Sequence, residues 1–131
     1  MTIESRGRGF VDVTSEVAGA LGESRITQGL ATLFCRHTSA SLTIQENADP
    51  DVLRDLESAL ARLAPEGAGY RHDTEGPDDM PAHIRTMLTG VSLSIPVLGG
   101  RLALGTWQGI YLVEHRTHPH RRELVLHVLG E

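Results

Sequence analysis

The last third of the chain restricts the fold most. "VSLSIPV", the Gly99-Gly100 turn, "RLALGTWQGIYLVEH" and "ELVLHVLGE" are strand-like runs joined by short connections. Strands linked that closely run antiparallel, because a parallel pair needs a crossover of a dozen residues or more. Gly105 and Gly109 inside the longest run predict a bend or bulge, with Trp107 and Gln108 at the corner.

The first half adds both element types. "GFVDVTSEV" alternates like a strand, then meets Thr14 and Ser15, residues suited to cap a short helix through Leu21. "TQGLATLFCRH" is almost continuously apolar, which predicts a strand buried on both faces. "ASLTIQE" reads as another strand, with Leu42 and Ile44 on one face.

The clearest helix follows, capped by Asp49, with Pro50 in its first position and an end near Gly67. Val52, Leu53, Leu56, Leu60 and Leu63 recur at helical spacing, opposite Asp51, Arg54, Asp55, Glu57 and Arg62. A second helix is expected over Pro81 to Leu88, with Gly90 just beyond it. The expected class is α+β: one β-rich domain over 1–131, with antiparallel-rich sheets and two main helices packed on one side.

Composition narrows the function. A net charge of -5 opposes a broad nucleic-acid-binding face. No apolar run approaches the ~20 residues that span a bilayer, and none resembles a secretory signal. Neither nucleic acid nor membrane is therefore an expected partner. The single cysteine, Cys35, lies within "LATLFC" and reads as a buried small apolar residue. Without a possible intrachain disulfide, the expected setting is a reducing cytoplasm.

Several residues could carry chemistry. The loop "EGAGYRHDTEGPDDMP" is long for so small a domain, and such loops are more often functional than idle. A metal site needs several converging imidazoles or carboxylates. His37, His72 and His83 all lie at element ends or in loops, although each alone is more often a hydrogen-bonded structural residue. In "HTSAS", the hydroxyls of Thr38, Ser39 and Ser41 stand beside backbone amides and suit an anion. Asn47 could support that site, and Asp49 is favoured as the helix cap.

"EHRTHPHRREL" raises more than one possibility. Arg116, Arg121 and Arg122 could clamp phosphate through their guanidinium forks, or belong to a turn with solvated charge. His115, His118 and His120 make a poor metal set beside Pro119 and so many arginines. Glu114 ends an apolar strand, where a carboxylate either meets an arginine or does proton chemistry. His127 alternates with Val125 and Leu129 and reads as a histidine on a sheet face.

Taken together, "HTSASLTIQENADPDVLRDLE", "YRHDTEGPDDMPAHI", "LGTWQGIYLVEHR" and the terminal "RR…GE" resemble the YjbQ family, in the branch that includes its enterobacterial members. The resemblance runs from about Gly9 to Glu131. It implies a compact β-rich α+β fold, a homotrimer and, in some members, a divalent metal ion such as zinc or magnesium. It also implies a secondary thiamine-phosphate synthase activity, a transferase reaction.

Carried over by position, the family's histidines fall on His37, His72 and His83, its tryptophan-glutamine pair on Trp107 and Gln108, and its acidic strand end on Glu114. Its C-terminal arginine falls on Arg121 or Arg122, while His118, Pro119 and His120 match no fixed feature and read as variable turn. The expected metal ligands are His37, His72 and His83, and the expected catalytic residues are Glu114 and His37. Thr38, Ser39, Trp107, Gln108, Arg116, Arg121 and Arg122 are expected to bind substrate.

The leading function is then an enzyme joining a pyrimidine diphosphate to a thiazole phosphate with loss of pyrophosphate. One alternative is a metal-dependent hydrolase or lyase of a small phosphorylated metabolite, with Glu114 or Asp73 as base. Another is a non-catalytic trimeric protein that binds a metal or ligand, with Trp107 and Gln108 packed between subunits.

Overall fold

A computed structural model describes all of residues 1–131. In chain order the elements are β1 (Thr2–Glu4), β2 (Gly9–Asp12), α1 (Thr14–Ser24), β3 (Gln28–Cys35), β4 (Ala40–Glu46), α2 (Pro50–Leu63), α3 (Asp79–Thr89), β5 (Ser92–Leu98), β6 (Arg101–Leu102), β7 (Gln108–Glu114) and β8 (Arg121–Gly130). They form a five-stranded sheet ordered β1-β8-β3-β5-β6 and a three-stranded sheet ordered β2-β7-β4. Every pairing is antiparallel, as the short connections require.

The core is the apolar seam between the sheets. Leu33, Cys35, Ile95 and Leu124 meet Leu42, Ile110 and Leu112, and Val13 and Val17 join the same cluster. The Gly105–Gly109 stretch does break the long run. β6 pairs with β5 in the larger sheet, whereas β7 lies in the smaller, so the chain changes sheets across this corner. No helix is long and apolar enough to cross a membrane.

Four expectations change. First, β3 is not buried on both faces: Ala31, Leu33 and Cys35 point into the core, while Leu30 and Phe34 are 44% and 45% exposed. The outer face of the large sheet carries open apolar side chains, which Leu98, Val125 and Leu129 extend on either side of the Thr32–His127 pair. Continuous hydrophobicity therefore marks two apolar faces, only one of which this chain covers.

Second, Thr14 opens α1 rather than capping it. Asp12 is the local acceptor, taking both the Thr14 backbone N–H at 2.9 Å and its hydroxyl at 2.7 Å, and α1 runs on to Ser24. Third, the helices number three and do not share one side. α2 and α3 pack beside β4, while α1 lies against β6, β7 and β8.

Fourth, α3 begins at Asp79, two residues before Pro81. Proline is tolerated there because first-turn N–H groups have no partner within the helix. α2 matches its N-terminal signals, the Asp49 carboxylate accepting the Asp51 N–H at 2.9 Å and Pro50 following the cap, but it ends at Leu63 with Ala64 as its C-cap, short of Gly67.

Candidate metal centre

Starting α3 at Asp79 places a carboxylate one turn ahead of His83, on the same helix face. The preceding loop brings His72 to meet them. His72 Nε2 lies 2.6 Å from Asp79 Oδ2, and His83 Nε2 lies 3.1 Å from the same oxygen. One ligand-capable atom from each residue falls within 4.8 Å of the other two.

The surroundings hold these groups in place. His83 Nδ1 donates to the Thr38 carbonyl at 2.9 Å, so whenever the ring is neutral its proton sits there and Nε2 is the nitrogen open to coordination. Arg116 Nη1 donates to Asp79 Oδ1 at 2.7 Å, leaving Oδ2 for the cluster. The same guanidinium donates through Nε to Asp78 at 2.8 Å and through Nη2 to the Glu75 carbonyl at 2.9 Å. Thr117 N–H adds a 2.9 Å bond to Asp78. Arg116, just beyond β7, thereby ties the long loop and the start of α3 to the sheet.

Charge follows from these contacts. Burial pushes Asp78 upward, but bonds from Arg116 and Thr117 outweigh it and hold the carboxyl well below its usual range. Asp79 behaves alike: burial raises it, while the His72 bond and the charges of His83 and Arg116 bring it below its ordinary value. Both carboxylates are therefore ionised at neutral pH. Two imidazole nitrogens and one carboxylate oxygen fit a divalent ion, and the nitrogen donors suit zinc better than magnesium, which prefers oxygen.

His37 does not join this cluster. Its Nε2 accepts the Glu123 backbone N–H at 2.7 Å, and its Nδ1 faces Arg122 Nη1 at 3.5 Å. Burial, and then the charge of Arg122, lower its pKa. Asp79, rather than His37, completes the group of side chains that could hold a metal ion.

Glu114 is fully buried with both oxygens engaged. Oε1 accepts the Ser5 hydroxyl at 2.6 Å and Arg122 Nε at 2.8 Å, while Oε2 accepts Arg122 Nη2 and the Arg116 N–H. Burial raises its pKa, but the bonds from Arg122 and Ser5 win and the group stays ionised. A carboxylate so shielded and saturated organises the fold; it has no free lone pair to offer a substrate.

The expected phosphate clamp does not assemble. Arg116 is committed to Asp78 and Asp79, and Arg122 to Glu114 and Ser39. Arg121 is exposed, and strand alternation turns it away from buried Arg122. Trp107 is 64% exposed, and Gln108 accepts the Gly105 N–H. Both lie at the opposite end of β7 from Glu114, one strand length or ~20 Å away. Thr38 and Ser39 contribute backbone carbonyls, Thr38 to His83, and Ser39 to His115 and Arg122.

Two cavities flank the cluster. One, of about 610 Å³, is lined by Phe34, Cys35, Arg36, His37, Thr38, His83, Thr86, Met87 and Val91. The other, of about 460 Å³, has His72, Tyr70, Asp73 and Met80 among its lining residues. His83 and His72 thus each border a different cavity.

His115, dismissed as a ligand, is a buried structural group. Burial and the charge of Arg85 drive its pKa down to about 3. Its Nε2 lies 2.8 Å from the Ser41 hydroxyl, which lies 2.6 Å from Thr89 Oγ1, and Thr89 can donate to the Arg85 carbonyl at 2.8 Å. Running the chain as His115 to Ser41 to Thr89 to Arg85 satisfies every hydrogen. It leaves only the Nδ1 lone pair unpartnered.

The sequence profile described as "UPF0047 protein YjbQ-like" matches residues 1–131. The chain belongs to the YjbQ-like UPF0047 family. Its relatives there include a UPF0047 protein of Synechocystis sp., 54% identical over 132 residues, covering 100% of this chain and 90% of the relative. YjbQ of Salmonella typhimurium is 47% identical over 132 residues, covering 100% of this chain and 96% of that protein.

A YjbQ/UPF0047-family crystal structure from Clostridium acetobutylicum superposes with a TM-score of 0.89 at 39% identity, over 98% of this chain and 99% of that one. A YbjQ-like protein of unknown function from Sulfolobus solfataricus gives 0.90 at 25% identity, over 100% of this chain and 96% of the other. The family assignment rests on the whole length and carries the two-sheet α+β fold with it.

Proposed function

We propose that the protein is a metal-dependent hydrolase or lyase acting on a small metabolite, with His72, Asp79 and His83 as the metal ligands. The observation that carries this reading is the convergence of three ligand-capable atoms within 4.8 Å on groups held by Thr38 and Arg116. A three-ligand set leaves coordination positions open, which distinguishes a reactive site from a closed structural one. A divalent ion held there would polarise a substrate oxygen and lower the pKa of bound water.

The chain's own contribution is orientation. Thr38 fixes the tautomer of His83, Arg116 fixes the carboxylate of Asp79, and the cavity beside His83 receives the substrate body. Asp73, beside His72 in the other cavity, is a candidate proton acceptor, whereas Glu114 is withdrawn from that role by its saturated burial. Condensation of two phosphorylated halves of thiamine phosphate has less support, because none of the three arginines expected to hold pyrophosphate is free in a shared cleft.

The test is metal content by mass spectrometry on protein purified without a histidine tag. Asp79→Asn and His83→Ala should lose a stoichiometric ion, while His37→Asn should retain it. Retention by Asp79→Asn would remove that residue from the set. Hydrolase and lyase screens should then lose any activity with the same two variants, and activity that survives metal loss would overturn the reading.

The open face of the large sheet supports a homotrimer. Leu30, Phe34, Leu98, Val125 and Leu129 all stand more than two-fifths exposed on strands β3, β5 and β8, and an apolar sheet face of that extent calls for a protein cover. Phe34 belongs both to this face and to the cavity beside His83, so association would narrow the cavity mouth.

A further inference from the structure

The 610 Å³ cavity has a chemical bias that the metal ligands do not explain. This is an acidic chain, with 17 Asp and Glu against 12 Lys and Arg. Yet no carboxylate lines the cavity, whose polar wall is Arg36, His37, Thr38, His83 and Thr86. The rest is Cys35 and three larger apolar side chains, Phe34, Met87 and Val91. The lining therefore offers hydrogen-bond donors and positive charge alongside hydrocarbon, and no negative charge.

The tautomer of His37 sharpens that bias. Because Nε2 accepts the Glu123 N–H at 2.7 Å, the ring is neutral and its proton must sit on Nδ1. The only group within bonding reach of Nδ1 is Arg122 Nη1, at 3.5 Å, and a guanidinium can only donate. Nε and Nη2 of Arg122 are taken by Glu114 and Ser39, while Nη1 has no acceptor. Two donors thus face one another without an oxygen between them, from an arginine that is only 4% exposed. Arg36 stands beside them, its bond to Glu123 more than half exposed at both ends and so weak enough to exchange for a better partner.

We propose that this cavity binds a small organic oxyanion, its charged oxygens taken by His37 Nδ1–H and Arg36 with Arg122 beneath, and its apolar body lying on Phe34, Met87 and Val91. The proposal rests on the metal-site reading only for the direction of the ligand's far end, which reaches His83. The oxyanion end stands on the cavity wall alone. His37 is accordingly a hydrogen-bond donor to the ligand, distinct from the metal-binding role suggested by its place in "HTSAS". A carboxylate and a phosphate or phosphonate share the required chemistry.

Calorimetric titration of the whole protein, as purified and after chelation, tests this with phenylphosphonate, benzoate, inorganic phosphate and benzyl alcohol. Imidazole ¹⁵N spectra report the tautomer. The free protein should show His37 as the Nδ1–H form, and at least one aryl oxyanion should bind saturably and shift that signal. Inorganic phosphate lacks the body and benzyl alcohol lacks the charge, so each should bind at least about 10-fold more weakly. Arg36→Gln, a surface change, should weaken the aryl oxyanion by about 10-fold, the worth of one charge-assisted bond.

A preference for phosphonate supports a phosphate-type ligand, and a preference for benzoate supports a carboxylate. An Nε2–H tautomer, no saturable binding, or an unchanged affinity in Arg36→Gln overturns the subsite. Inorganic phosphate binding as tightly as phenylphosphonate overturns the organic body. Asp79→Asn disables the metal ligands and meets the cavity wall only at His83, away from His37 and Arg36, so its oxyanion affinity after chelation should match the wild type. Failure of the metal site and failure of this subsite are then separate results.

Discussion

His115 should make stability fall as acid is added below pH 6.5. The side chain is wholly buried and its pKa is about 3 in the folded protein, against 6.5 for an ordinary histidine. The sign follows from proton counting. The folded state holds this ring neutral while the unfolded chain protonates below pH 6.5, so unfolding takes up a proton. Its contribution is complete above that pH and is lost as pH falls toward 3. Each unit costs roughly 1.4 kcal/mol, which makes about 2 kcal/mol by pH 5.

The assay is urea unfolding by circular dichroism at fixed protein concentration with chelator present, in steps from pH 8 to 5, for wild type and His115→Gln. Trp107 fluorescence is a poor probe because that residue is already largely exposed. The glutamine has its own packing cost, so the quantity compared is the pH slope. His37, whose pKa is also lowered, contributes to both proteins and cancels in the difference. The variant should lose about one proton's worth of slope between pH 6.5 and 5. Parallel curves would mean that His115 is not a neutral buried ring in the folded state.

Three further outcomes follow from the same contacts. Glu114→Gln strands buried Arg122 without its counter-charge and should cost ~3–5 kcal/mol by urea unfolding, and a loss below 1 kcal/mol would show that this carboxylate does not secure the arginine. Arg116→Ala frees Asp78 and Asp79 and should weaken metal affinity by ~10–100-fold in a competition titration, leaving the circular dichroism spectrum intact; unchanged affinity would detach the loop clamp from the metal site. Leu129→Asp places a charge on the open apolar face. By sedimentation it should reduce a trimer to a species near the chain mass of 14.2 kDa, and a monomeric wild type would dismiss the assembly itself.

What the sequence disclosed was local, and what it concealed was mostly a matter of small offsets and distant partners. The antiparallel order, the break near Gly105 and the Asp49 cap are each written in a few adjacent residues. Asp79 was legible in principle, since "DMPAH" puts a carboxylate and a histidine four apart. It was hidden by starting the helix at Pro81, two residues late, which left Asp79 in the loop and off the face of His83. Proline marks the first turn of a helix without specifying which residue of that turn it occupies.

Glu114 shows the opposite difficulty. The sequence narrowed it to an arginine partner or proton chemistry, and the choice depended on Ser5, which is 109 positions away and on β1's side of the large sheet. No periodicity encodes that meeting; it exists because β1 and β8 pair at one edge while β7 ends beside them.

The misread burial of β3 has a third cause. An apolar strand face looks the same in sequence whether its cover comes from the same chain or from another copy. The five-stranded sheet leaves Leu30, Phe34, Val125 and Leu129 bare, so the sequence's continuous hydrophobicity and the structure's exposure describe one surface. Because Phe34 also walls the cavity beside His83, covering that face and enclosing the ligand would be one event, and substrate affinity should rise with assembly.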